Sequence, residues 1–215
     1  MMARLTLQGN SKVGRLIGTA LASLLAAALA LLFWLPAHPR QRAEAFLRDL
    51  QSLEVGEATF EQAQQLAQRH AGSVPRRAPQ CTADRCEFDF FFENRLLSCL
   101  HLSPTTVLGA TIKVQDGRVW YVGVSLTSGH EEQGCAASVT EWVPPFAGEP
   151  AFRVSNREDG TGRPWKTIIK LTPEASATDR QHAYSFNLKC LDKIGGCKDA
   201  REVLPAVWPN AEGHR

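Results

Sequence analysis

A chain of 215 residues, 44% hydrophobic and 21% charged, has the make-up of one folded domain with an accessory segment, which excludes an intrinsically disordered protein. Its net charge of +2 is unevenly spread: residues 1–37 hold Arg4, Lys12 and Arg15 and no acid, leaving 21 of the 24 basic side chains against all 22 acidic ones. A nearly neutral remainder lacks the positive footprint that binding a phosphate backbone requires, so nucleic acid is not an expected partner.

The N-terminal segment sets the expected location. Leu16 to Leu35 reads LIGTALASLLAAALALLFWL, an uncharged run long enough for a helix of about 30 Å, the thickness of a bilayer's hydrocarbon core. Trp34 suits the headgroup interface and Pro36 ends the helix. A cleaved secretory signal is the competing reading. Its apolar region is shorter, and a cut after Ala37 would place the large Leu35 where a small residue belongs. A retained signal-anchor is therefore expected. Basic residues do not orient it, because Arg4, Lys12 and Arg15 before the run are balanced by Arg40, Arg42 and Arg48 after it. The cysteines do. Cys81, Cys86, Cys99, Cys135, Cys190 and Cys197 all lie beyond the apolar run, as disulfides in an oxidising compartment would. Their spacing does not match zinc-site pairs, and no metal or cofactor is expected. The short loops suggest Cys81–Cys86 and Cys190–Cys197, with Cys99–Cys135 as the remaining pair. The organisation predicted is a basic cytoplasmic N-terminus over 1–15, a single transmembrane anchor over 16–35, a linker and helical segment over 36–75, and a disulfide-bonded α+β domain outside the cytoplasm over 76–215.

Two helices are predicted next. Phe46, Leu47, Leu50 and Leu53 share one side at helical spacing. Thr59 and Gln62 form a capping-box pattern ahead of Phe60, Ala63, Leu66 and Ala67, with Gly72 and Pro75 beyond the helix. After residue 80 the period falls to 2. Cys86, Phe88, Phe90 and Phe92 alternate with Glu87, Asp89 and Glu93, as in a half-buried strand. Asp116-Gly117 then joins two strands as a hairpin. A two-residue loop would pair Val114 with Val119 and put Val122, Val124 and Leu126 opposite in face to Leu108, Ala110 and Ile112. A three-residue loop with a left-handed Gly117 brings both sets to one face, pairing Ile112 with Trp120 and Ala110 with Val122, so burial selects the longer loop. Further strands are expected near 136–143, 151–155, 166–172 and 182–190, with an irregular connection within 144–165. A short C-terminal helix should start at Asp199, with Glu202 at its third position and Pro205 at its end.

The fold class expected is α+β, with a mainly antiparallel, curved sheet of five to seven strands; a β-sandwich with peripheral helices is the alternative. Catalytic motifs are weak. Gly123 to Gly129 has the wrong glycine spacing for a nucleophile elbow, and Asp159 to Pro164 lacks the Lys-Ser/Thr of a phosphate loop, so the first reads as a strand with a solvent-facing Ser125 and the second as a turn. Cys99 and His101 would share one side of a strand, and a bridged Cys99 beside a surface His101 is the expectation there. His130 and Glu131 read as a solvated loop. Among the aromatics, Trp142, Phe146 and Trp165 flank the long connection and are the expected ligand groove. Together these features predict a membrane-anchored binding or interaction domain in the envelope, partnered by the membrane and by another envelope protein. The alternative is an envelope hydrolase whose site assembles from His101, His130, Glu131 and His182.

Overall fold

The computed structural model describes residues 39–75, 81–129, 134–144 and 148–208, together with Ser23 and Leu24. The chain divides into two units, Met1–Leu35 and Pro36–Arg215. The expected anchor Leu16–Leu35, apart from Ser23 and Leu24, lies outside the described residues, as does the segment 1–15. Among the described residues no helix is long and apolar enough to cross a membrane.

The second unit begins with helix α1 over residues 39–51. Its apolar side, Ala43, Phe46, Leu47 and Leu50, is buried, while Arg42 and Arg48 face water. Helix α2 (Phe60–Arg69) has the capping box its sequence predicts: Thr59 Oγ1 accepts from Gln62 N–H, and Gln62 Oε1 accepts from Thr59 N–H at 2.8 Å. Between the helices, Gly56 N–H donates to Val119 O and Phe60 N–H to Gly117 O, which ties the start of α2 to the hairpin tip.

The sheet has six strands: β1 (Arg85–Glu93), β2 (Thr106–Gln115), β3 (Arg118–Ser128), β4 (Cys135–Trp142), β5 (Phe152–Glu158) and β6 (Pro164–Leu171). Their order is β1-β2-β3-β4-β6-β5. All neighbours are antiparallel except β4 and β6, so the sheet is mixed. A short helix, α3 (Arg95–Cys99), absent from the sequence expectation, links β1 to β2. These strands form a single sheet, not a sandwich, and helices cover one of its faces. Phe46 of α1 meets Phe90 and Phe92 at ring distances of 4.6 and 5.1 Å. Helix α2 packs on β1, β2 and β3, and the C-terminal helix α5 (Ala200–Val203) on β4 and β6. Each fully buried Phe or Leu in this layer contributes roughly 1.5–3 kcal/mol.

Two expectations about the strands need correction. The hairpin turn is the two-residue one, with Gln115 opposite Arg118 and Val114 opposite Val119. Asp116 and Gly117 both take left-handed backbone, at φ 53° and 75°, the geometry of a type I′ turn. The apolar faces are brought together elsewhere. The register shifts between Lys113 and Val114, so Trp120 is an extra residue and Ile112, Ala110 and Leu108 face Val122, Val124 and Leu126. Burial did demand a one-residue slip, but a bulge inside the ladder supplies it.

Segment 182–190 is the second correction, since it is not a strand. Helix α4 (Ala177–Ala183) starts at Ser176, whose side chain accepts from Asp179 N–H, and a 3-10 turn covers Leu188–Leu191. Tyr184, Phe186, Leu188 and Cys190 are buried as the alternation requires. The backbone meets its hydrogen-bonding needs through local turns and Asn187 N–H to Val203 O rather than through a ladder.

Candidate functional site

Among the described residues no helix covers the second face of the sheet, and its residues align in cross-strand rows. One row runs Phe91, Gly109, Ser125, Ser138, Ile168, Ser155. The next runs Asp89, Thr111, Gly123, Thr140, Lys170, Arg153. The middle of this face is small and hydroxylated, and a depression there is lined by Phe91, Gly109, Thr111, Tyr121, Gly123, Ser125, Ser138 and Thr140. Two glycines give it its shape. A Cβ on Gly123 would lie 2.7 Å from Tyr121 Oη and 3.0 Å from Tyr121 Cε1, so the Tyr121 ring lies flat along its own strand over the bare backbone. Phe91, 67% exposed, leans toward Gly109 from the neighbouring strand. A strand glycine marks such a close approach, and an aromatic ring laid across it restores contact the missing side chain would have made.

Charge is graded across the face. The β1 side carries Glu87, Asp89 and Glu93, and the β5–β6 side carries Arg153, Arg157, Lys166 and Lys170. Lys113 Nζ stands 5.4 Å from the Tyr121 ring centroid and 3.6 Å from Glu87 Oε1. Lys170 Nζ stands 5.5 Å from the Trp142 ring. Thr111 Oγ1 donates to Asp89 Oδ1 at 2.7 Å. The Ser125, Ser138 and Thr140 hydroxyls bond no other side chain among the described residues, leaving them open to a ligand.

No family model, curated protein or solved structure matches this chain. Its own geometry therefore carries the functional argument.

The expected groove is not a continuous edge. Trp142 closes β4 and Trp165 opens β6, and these strands are parallel, with Ala136 beside Lys166 and Glu141 beside Leu171. The two indoles therefore sit at opposite ends of the pair, roughly 20 Å apart at the rise of a strand. Of these two, Trp142 lies opposite Tyr121, which lines the depression. Phe146 lies outside the described residues, as do His130 and Glu131. His101 occupies the turn after α3 with φ 54°, and His182 is an exposed residue of α4, so neither adjoins the open face. Cys99 ends α3 instead of lying on a strand with His101. Among the described residues, no group of three or more His, Cys, Asp or Glu side chains is placed to hold a metal ion.

Cysteine pairing follows the short loops. Cys81–Cys86 and Cys190–Cys197 are disulfides, which fits an oxidising, extracytoplasmic setting. The expected Cys99–Cys135 bond is absent: Cys99 is exposed, whereas Cys135 points into the core from the start of β4. Side chains directed to opposite environments cannot bridge without moving the backbone. Burial pushes the Cys135 thiol up to about 12, and its Sγ–H donates to Cys197 O at 3.2 Å.

A buried ionic cluster supports the site from beneath. Glu141, 2% exposed, accepts from Arg180 Nη2 at 2.5 Å and from Tyr184 Oη at 3.2 Å. Burial raises its pKa against the pull of Arg180 and Tyr184. The cluster pins α4 to the end of β4, next to Trp142. From the sequence Ser125 reads only as a solvent-facing strand hydroxyl, and no local spacing singles out Tyr121. The usable signal is Gly109 and Gly123 inside strands rich in valine, isoleucine and threonine, since a strand glycine often marks a close approach.

Proposed function

We propose that this chain is a single-pass, membrane-tethered binding module of the envelope, and that its open sheet face takes an elongated, polyhydroxylated ligand of the saccharide class. The observation that carries the reading is the pair of aromatic rings, Tyr121 and Phe91, set beside Gly123 and Gly109 around a floor of hydroxyls that bond no other side chain among the described residues. Ring faces suit the C–H-rich faces of sugar rings, and Ser125, Ser138 and Thr140 supply the few polar contacts that fix orientation. The uncharged run Leu16–Leu35 supports the tether, and the two disulfides support a domain outside the cytoplasm.

The test is titration of the detergent-solubilised full chain with soluble N-acetylglucosamine and glucose oligosaccharides, read by tryptophan and tyrosine fluorescence. Binding that Tyr121→Ala weakens about tenfold, the order expected for losing one aromatic stacking partner, supports the proposal. Absence of binding to either oligosaccharide series, or binding indifferent to both Tyr121→Ala and Phe91→Ala, refutes it.

A further inference from the structure

At the end of the sheet where α1 begins, apolar side chains stand in water. Ile194 is 71% exposed, Leu100 49% and Leu102 46%. They form one patch, because Gly195 N–H donates to Leu102 O at 3.0 Å. Ile194 is held firmly. Gly196 N–H donates to Lys193 O at 2.9 Å, closing a turn in which Gly195 takes φ 81°. The Cys190–Cys197 disulfide brackets the same loop. Exposed turn tips ordinarily carry polar residues, so an isoleucine fixed there by a bracketing disulfide needs an apolar partner.

The position of the patch identifies that partner. Arg40, in the first turn of α1, reaches Asp192 with Nη1 to Oδ2 at 3.4 Å, two residues before Ile194. Five residue steps separate Leu35 from Arg40, and fully extended they span roughly 17 Å. The headgroup layer is itself about 5–8 Å deep. An anchor ending at Leu35 would leave no more than that reach of chain between the bilayer and Arg40. We infer that Leu100, Leu102 and Ile194 form a lipid-contacting patch that seats the domain on the membrane. This inference rests on the tether proposed above.

Charge contributes little to the contact. Arg40 pairs with Glu44 and Asp192, Lys193 with Glu202, and Arg163 with Asp159. The patch therefore inserts chiefly by apolar area, and exposed Lys198 beside it adds only a weak, salt-screened attraction to anionic lipid.

The test uses the full chain reconstituted in phosphatidylcholine vesicles, with Cys99→Ser and a bimane label at Ile194→Cys. A second sample carries the label at Arg153→Cys, exposed near the opposite end of the sheet. Brominated lipid should quench the label at 194 at least twofold and leave that at 153 unchanged, in low and high salt alike. A Leu102→Cys label should be quenched as well. Vesicle-bound protein with no quenching at 194 and 102 overturns the patch and spares the tether. Release of the chain from vesicles by alkaline carbonate overturns the tether and the patch with it. If quenching at 194 is lost while unsubstituted chains crosslink through Cys99, the patch is an interface between copies, and the lipid assignment fails.

Discussion

Arg180→Met offers the sharpest test of how the domain is held together. The substitution leaves Glu141 at 2% exposure with only the Tyr184 hydroxyl as a described partner. Stranding one member of a buried ion pair costs about 3–5 kcal/mol. Two features reduce that here. The Arg180 side chain is 22% exposed, and its Nε is buried with no hydrogen-bond partner among the described residues, so methionine removes an unsatisfied donor worth about 1 kcal/mol. A net loss of about 2–3 kcal/mol follows, which lowers Tm by about 5–10 °C for a chain of this size. The loss depends on pH in a defined direction. Burial already raises the Glu141 pKa above the ordinary 4.5 of a glutamate, and removing Arg180 raises it further. A carboxyl with a raised folded pKa contributes stability fully present below its unfolded value and lost as pH rises through the folded one. The deficit of Arg180→Met should therefore be large at neutral pH and shrink toward pH 4.5, the unfolded value of Glu141. Adding Glu141→Gln should recover most of it and abolish the pH dependence. Thermal melts of the solubilised chain followed by tryptophan fluorescence measure all three variants. An equal deficit at both pH values, or no recovery in the double variant, would refute the reasoning.

Other expectations are more direct. Gly123→Ala puts a Cβ 2.7 Å from Tyr121 Oη; the ring must lift, so oligosaccharide binding should fall about as far as in Tyr121→Ala, with Tm nearly unchanged. Gly117→Ala forces an L side chain into φ 75° and should cost about 1–2 kcal/mol in thermal melts, whereas Gly160→Ala, with nothing within 4 Å of its added Cβ, should stay within about 0.5 kcal/mol. In the folded chain, iodoacetamide should modify Cys99 and spare Cys135, whose thiol is pushed up to about 12. Mass spectrometry after unreduced unfolding should then find the second thiol, and rapid native labelling of Cys135 would contradict its placement.

What the residues declared unaided was whatever depends on near neighbours. The capping box of α2 needs only Thr59 and Gln62, the place of the turn at Asp116-Gly117, though not its length, needs only those two residues, and the short disulfides close across a few residues of chain. Alternation in β1 and β2 declared which face is buried, because the pleat makes that a local property. Segment 182–190 marks the boundary of such inference. Its alternation correctly named the buried side chains, but an extended or turning backbone can bury every second residue, and only the hydrogen-bond partners available in space decide between them. The bulge at Trp120 was settled by the demand that β2 and β3 bury a common face, which involves both strands at once. The same holds for function. The parallel pairing of β4 and β6 separated Trp142 from Trp165, and the cross-strand rows assembled Phe91, Tyr121, Ser125 and Ser138, residues far apart in sequence. Strand order decided both, and strand order is a long-range property that no local spacing encodes.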